Sequence, residues 1–198
     1  DSRKSRGLGD VYKRQESKNT IEKTIKSEQT TKNLNAVVEI IFNAFSAGNK
    51  ILLCGNGGSA ADAQHIAAEL TGRFFKDRTA LFAEALHVNS SYTTAVANDY
   101  GFEKTYSRLL EAKGDKGDVL IAISTSGNSQ NIINAVHKAK EIGMSTISFT
   151  GQNDSKIKEL SQICLQSPST NTPRVQEVHI LFGHIICQLV EEKIFPNV

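Results

Sequence analysis

The chain has 198 residues, 23 Lys+Arg against 21 Asp+Glu, a formal charge of +2, 39% hydrophobic and 22% charged residues. That length predicts one domain with one sizeable core, and that composition excludes a disordered or collagen-like chain. No apolar run approaches the ~18–20 residues of a membrane span, and none near the start reads as a signal-peptide core.

Residues 1–15, DSRKSRGLGDVYKRQ, differ from the rest. They lack an initiator Met and carry five basic residues (Arg3, Lys4, Arg6, Lys13, Arg14) against two acids, with almost nothing apolar. They read as a basic arm for nucleic acid, or as a disordered or non-native tail, and the tail is the expectation. Subtracting them leaves 18 basic and 19 acidic residues in 16–198, a net of −1, so the basic balance belongs to the tail and no nucleic-acid partner is expected.

A single domain is predicted over 16–198. Residues 16–33 are polar, with Ile21 and Ile25 their only apolar side chains of size, and a helix there needs a partner to hold it. Leu34, Val37, Val38, Ile41, Phe42 and Phe45 lie on one helix face, ended by Gly48-Asn49. Then strand, small polar loop and helix recur. Lys50–Cys54 is a short buried strand, residues 55–59 its loop and Ala60–Leu70 its helix. Leu81–Val88 is a weaker strand, followed by helices over Ser90–Asn98 and Glu103–Lys113. Asp118–Ile123 is a second clear strand, residues 124–129 its loop and Gln130–Ile142 its helix. Ser145–Thr150 and Ile163–Leu165 are further strands around a short helix at Lys156–Ser161, and Val175–Ile194 is a long apolar helix. Strand–helix alternation predicts an α/β fold, a parallel sheet with helices on both faces. Cys54, Cys164 and Cys187 make no CxxC pair and read as small buried thiols of a reducing cytoplasm.

Two loops stand out. Gly55-Asn56-Gly57-Gly58-Ser59 links a strand to a helix, where glycines let a ligand approach the backbone and free N–H groups favour an anion. It also fits G-x-G-x-x-A, but no clear second strand ends in an acid about 20 residues on, as a dinucleotide site requires. Ser124, Thr125, Ser126 and Ser129 put four hydroxyls around Gly127 after another strand, enough to surround a phosphate, and no Gly-Lys-Ser/Thr follows as in a nucleotide triphosphate loop. Helix caps with tight-turn glycines are the alternative for both loops.

His65 and Glu69 are one helical turn apart, which suits a metal, a proton-transfer pair or an ordinary surface pair. Gln176 and His184 are eight apart on the last helix, within ~80° of each other at ~100° per residue. His184 lies among Phe182, Ile185, Ile186 and Leu189, and on the residues alone a core histidine is the expectation. Four N/O groups from two helices could surround one Zn²⁺-like ion.

Together these pieces resemble a known family. Residues 51–73, ILLCGNGGSAADAQHIAAELTGR, resemble the first half of a sugar isomerase (SIS) domain, and more narrowly the phosphoheptose isomerases. The resemblance continues through Ala97-Asn98-Asp99-Tyr100-Gly101, Ile123–Ser129 and Arg174–His179 to His184, over about residues 34–195. It implies a three-layer SIS fold with an N-terminal helical extension, a cytoplasmic homotetramer with sites between subunits, and isomerisation of sedoheptulose 7-phosphate to D-glycero-D-manno-heptose 7-phosphate. That step opens heptose biosynthesis for lipopolysaccharide, capsule or other surface glycans. By motif match, Ser124, Thr125, Ser126 and Ser129 hold the phosphate. Asn56, Gly57, Gly58, Ser59, Asn98, Asp99 and Gln176 contact the sugar. His65, Glu69, Gln176 and His184 correspond to ligands of one Zn²⁺ per subunit, and Glu69 and His184 to the catalytic pair, Glu69 also touching substrate. Residue 60 is Ala where some relatives carry His, a position with no catalytic role in the match. A non-catalytic SIS scaffold that binds the replication initiator, and a sugar-phosphate sensor, are the competing readings. Glu69 and His184, which the scaffold lacks, favour the enzyme.

Overall fold

The computed structural model describes residues 2–198, with side chains from Gly9 onward. Five parallel strands, β1 (Ile51–Gly55), β2 (Ala83–Ala85), β3 (Val119–Ile123), β4 (Ser145–Thr150) and β5 (Ile163–Gln166), form one sheet in the order β2-β1-β3-β4-β5. Each connection between strands contains helix, as a parallel crossover requires. The helices are α1 (Ser2–Ile25), α2 (Glu28–Ser46), α3 (Gly58–Thr71), α4 (Ser90–Tyr100), α5 (Thr105–Lys113), α6 (Gln130–Ile142), α7 (Lys156–Leu160) and α8 (Thr172–Ile194), with a 3-10 turn at Phe102–Lys104.

Alternation along the strands separates two cores. Ile51 and Leu53 of β1 and Val119, Ile121 and Ile123 of β3 face α2, α3 and α8, packing on Val37, Ile41, Ile66, Leu70, Val178 and Phe182. Leu52, Cys54, Leu120 and Ala122 face the other way, onto Leu109, Leu110, Ile132, Val136 and Ile157. With a layer of side chains on each face, both sides of the sheet are apolar, which is why β1 and β3 read as continuous hydrophobic runs. The three-layer α/β expectation holds.

Three expectations are revised. Residues 2–15 of the expected disordered or non-native tail are helical and continuous with the 16–25 stretch. Arg14 pairs with Asp10 one turn away at 2.8 Å, and the Lys13 carbonyl accepts Arg174 Nη1 from α8 at 3.3 Å. Asp1, and the side chains of Arg3, Lys4 and Arg6, lie outside the described residues. Second, the helix expected to need a partner packs on α8 and α2 of its own chain, with Thr20 and Thr24 buried, while Ile25 is 70% exposed. Each threonine hydroxyl donates to the carbonyl one turn back, which lets it be buried on an otherwise polar helix. Third, the strand expected over 81–88 shrinks to three residues, because β2 is an edge with a partner on one side only.

Candidate active site

Strands β1, β3, β4 and β5 all deliver their carboxyl ends to one edge of the sheet, where an open α/β fold binds ligands. After β1 the chain turns at Asn56-Gly57 and enters α3 at Gly58, two residues earlier than expected. Gly57 has φ +57°, a region that favours glycine. The turn is tight: a Cβ on Gly55 would lie 2.3 Å from the Ser59 carbonyl. Ser59 is therefore inside the protein, buried beneath the loop. The Tyr106 hydroxyl, from α5, donates to the Gly55 carbonyl. Asn56 and Asn131 exchange amide hydrogen bonds of 2.9 and 2.8 Å, which ties this loop to the start of α6.

The hydroxyl loop follows β3. Gly127 has φ +64°, and a Cβ there would lie 2.1 Å from Ser155 Oγ, so glycine is required on both counts. Ser124 Oγ accepts the Gly127 N–H at 3.1 Å and donates to Ser129 Oγ at 3.3 Å, while Ser126 Oγ accepts the Asn128 N–H at 3.2 Å. Ser129 is the N-cap of α6, yet its side chain makes no cap bond. The start of α6 thus keeps free N–H groups and the positive end of the helix dipole beside a ring of hydroxyls, an arrangement suited to an anion. Thr125 is joined to the end of β4, its carbonyl accepting the Gly151 N–H at 3.0 Å. Asn98 and Asp99 close α4, exposed, with Asn98 Nδ2 donating to Asp99 Oδ1 at 2.8 Å. The turn that follows them reaches α6, since the Glu103 carbonyl accepts Asn134 Nδ2 at 2.9 Å.

The remaining site residues come from α3 and α8, which both start at this edge and run side by side. Gly183 lets them approach: a Cβ there would meet Ile66 Cγ1 at 2.6 Å. At the near end Gln176 lies over the first loop, its Nε2 2.2 Å from where a Cβ on Gly58 would stand. Further along, His65 Nε2 and His184 Nε2 are 3.0 Å apart, and His65 Nε2 is 3.4 Å from Glu69 Oε1. Two residues 119 apart in sequence thereby aim their ring nitrogens at one point, so His184 is not a mere core histidine. Among the described residues no group of three or more His, Cys, Asp and Glu side chains stands so that it could hold a metal ion. In kind, two imidazole nitrogens and a carboxylate oxygen suit a borderline-soft divalent ion, while the Gln176 amide lies apart from them, beside Gly58.

Several residues of this site carry no signal in the sequence. Phe74 packs against His184 with ring centroids 6.0 Å apart. The loop holding Phe74 is tied down by Glu191 of α8, which accepts the N–H groups of Phe74, Phe75 and Lys76 at 2.8–3.0 Å and Arg78 Nε at 3.0 Å. Arg78 in turn donates to the carbonyls of Glu69, Leu70 and Gly72, closing the C-terminal end of the helix that bears His65 and Glu69. Burial opposes ionisation of Glu191, but the backbone N–H groups and Arg78 outweigh it and hold the carboxyl below its ordinary range. Asp62, one turn before His65, has a buried oxygen without a hydrogen-bond partner among the described residues, and burial pushes its carboxyl up to about 6 against the attraction of His65. Cys54 and Cys187 are buried, and desolvation raises both thiols; Cys164 is half-buried, its Sγ 3.3 Å from Thr150 Oγ1.

Sequence and fold both match known proteins. The SIS domain profile matches residues 14–151. A phosphoheptose isomerase of Clostridium acetobutylicum is 52% identical over 174 residues, covering 88% of this chain and 89% of that protein. The chain belongs to the phosphoheptose isomerases of the SIS domain family. Another family member, from Aneurinibacillus thermoaerophilus, is 49% identical over 183 residues, covering 92% of each. The solved phosphoheptose isomerases of Neisseria gonorrhoeae and Francisella tularensis superpose with TM-scores of 0.84 and 0.89 at 38% and 30% identity. They cover 96% and 94% of this chain and 98% of their own chains, so the family fold extends to the N-terminal helices as well as the sheet.

Proposed function

We propose that the chain is an aldose–ketose isomerase that converts sedoheptulose 7-phosphate to D-glycero-D-manno-heptose 7-phosphate through an enediol, the first step of heptose biosynthesis for lipopolysaccharide or other surface glycans. The observation that carries this reading is the convergence of His65, Glu69 and His184 between two helices that start beside a hydroxyl-lined anion loop. It stands together with relatives of about half identity that carry the isomerase name.

The chemistry follows from the residue types. Ser124, Thr125, Ser126 and Ser129, with the start of α6, receive the phosphate and fix the far end of the sugar. Asn56, Gly57, Gly58, Asn98, Asp99 and Gln176 line the chain between. Glu69 takes the proton from C1 of the ketose and returns it to C2 on the same face. His184 passes a proton from the C1 hydroxyl to the C2 oxygen, which moves the carbonyl without net loss or gain of protons. Phe74 excludes water from one side of His184. His65, Glu69, Gln176 and His184 would hold Zn²⁺, which when bound polarises the carbonyl and steadies the enediolate oxygen.

The reading includes a homotetramer in the cytoplasm. His65 is 46% exposed within one chain, and a wall from a second subunit would enclose it. Two buried free thiols suit a reducing compartment. Among the described residues no helix is long and apolar enough to cross a membrane. The decisive experiment is incubation of the purified protein with sedoheptulose 7-phosphate in D₂O, followed by NMR. Appearance of the aldose with deuterium at C2 is the expected result; an unchanged ketose overturns the proposal.

A further inference from the structure

His179 lies on α8 between Gln176 and His184, fully buried, yet it belongs to neither the hydroxyl loop nor the reacting cluster. Its Nε2 is 3.0 Å from the Thr150 carbonyl at the end of β4. A carbonyl only accepts, so Nε2 carries the proton and Nδ1 does not. Nδ1 is buried and has no partner among the described residues.

The position could be filled more cheaply. The ring packs against Phe149, with centroids 5.8 Å apart, so a phenylalanine would suit the surroundings without stranding a nitrogen. What histidine adds is one directional bond between α8 and β4. The end of β4 is in turn bound to the phosphate loop at two points: Ser124 N–H donates to the Phe149 carbonyl and Gly151 N–H to the Thr125 carbonyl, both at 3.0 Å. Gly151 keeps this junction close, because a Cβ there would lie 2.8 Å from the Thr125 carbonyl and 3.4 Å from Val175 Cγ2 of α8. A continuous path therefore runs from the hydroxyls that would hold the phosphate, through the end of β4, to the helix carrying Gln176 and His184.

We propose that His179 is a positioning residue that sets specificity for sugar length: its bond to the Thr150 carbonyl fixes how far the reacting groups of α8 stand from the phosphate loop. The inference rests on the isomerase reading above. A phosphate held at one end and a carbonyl that must meet Glu69 and His184 at the other leave room for one chain length. Buried polar groups in otherwise apolar contacts are best attested as setters of register, and here the register is that of α8 along β4.

The test compares kcat/KM for sedoheptulose 7-phosphate and for the shorter ketose fructose 6-phosphate. In His179→Phe, turnover of the seven-carbon substrate falls about 10- to 100-fold, the cost of a misplacement of ~1 Å, while the six-carbon substrate loses less and the preference narrows at least tenfold. His179→Gln keeps an N–H at a similar reach and recovers most of the preference. Gly151→Ala approaches the same span from the loop side, by pushing against the Thr125 carbonyl, and narrows the preference without touching His179. A folded His179→Phe variant, or Gly151→Ala should His179→Phe not fold, that slows both substrates by one factor or leaves both unchanged overturns the inference. Wild-type protein that does not turn over sedoheptulose 7-phosphate overturns the isomerase reading instead.

Discussion

Glu191→Gln is expected to be among the most destabilising single changes in the chain. In the native protein the Glu191 and Arg78 side chains are 2% and 1% exposed. The substitution keeps the shape but removes the charge, turns one oxygen into a donor facing N–H groups, and strands the Arg78 guanidinium in the interior. Breaking one partner of a buried pair costs about 3–5 kcal/mol. For a chain of this size about 2–4 °C of Tm is lost per kcal/mol, so Tm falls by roughly 10 °C. Urea unfolding followed by circular dichroism gives the free energy, and amide exchange of Phe74, Phe75 and Lys76 reports whether the loop has come loose. The pH dependence has a definite sign. Because the folded carboxyl is held below its ordinary value of 4.5, its contribution is full above that pH and is lost as pH falls through the lower folded value, so the gap between wild type and variant narrows in acid. A loss under about 1 kcal/mol at pH 7, well below the range for a buried pair, would refute the reasoning, as would unchanged protection of the three amides.

Three further outcomes separate packing from chemistry. Gly58→Ala puts a methyl 2.2 Å from Gln176 Nε2, the free end of a flexible side chain. Stability is expected to change by less than about 1 kcal/mol because the amide can swing away, while isomerase activity drops roughly 10- to 100-fold because it has swung away; equal activity in a folded variant removes Gln176 from the site. Dialysis against a strong chelator abolishes turnover and added Zn²⁺ restores it, with elemental analysis finding one ion per subunit in active protein; full turnover in protein shown to be free of metal defeats the metal assignment. Burial lowers the His179 pKa from 6.5 to about 4 against the raising effect of its bond to Thr150. The unfolded chain therefore takes up a proton that the folded one refuses, stability falls by about 3 kcal/mol as pH drops from 6.5 to 4, and His179→Gln, compared by urea unfolding, lacks that part of the slope.

How much of this was legible depends on where each signal lies. Strands β1 and β3 are buried on both faces and announce themselves as apolar runs, while β4 shows itself through alternating Ile147 and Phe149 among β-branched and small polar residues. The edge strand β2 has no such constraint, and its reading was correspondingly too long. The two loops were legible because glycines and hydroxyls crowd between a strand and a helix. Their depth was not, since only the close approach of Gly55 to Ser59 shows that Ser59 is buried. His65 and Glu69 could be paired from their spacing along one helix. Bringing His184 to them requires the contact between α3 and α8, which no local pattern encodes. The same holds for Asn131 and Glu191, each a lone polar residue in an apolar helix face whose partners lie 75 or more positions away. The helix over residues 2–15 was not legible because composition was the only guide there, whereas Asp10 and Lys13 find partners within and beyond the helix.

Residues 16–198 carry a net charge of −1, and the loop 124–129 contains no Lys or Arg. Its anion-binding groups are neutral: serine and threonine hydroxyls and the first N–H groups of α6. Dipoles act over short range and are shielded once the phosphate is seated, whereas capture by a field of many positive charges weakens steeply with added salt. KM for sedoheptulose 7-phosphate is therefore expected to change by less than about twofold as the Debye length is cut from ~10 Å at 0.1 M to ~3 Å at 1 M salt. The measurement is a series of initial rates at fixed pH, with circular dichroism confirming that the fold persists. A tenfold or greater rise in KM would mean that basic side chains outside the loop do the capturing. Arg73 and Lys76, on the loop that Glu191 holds beside His184, would then be the first residues to neutralise.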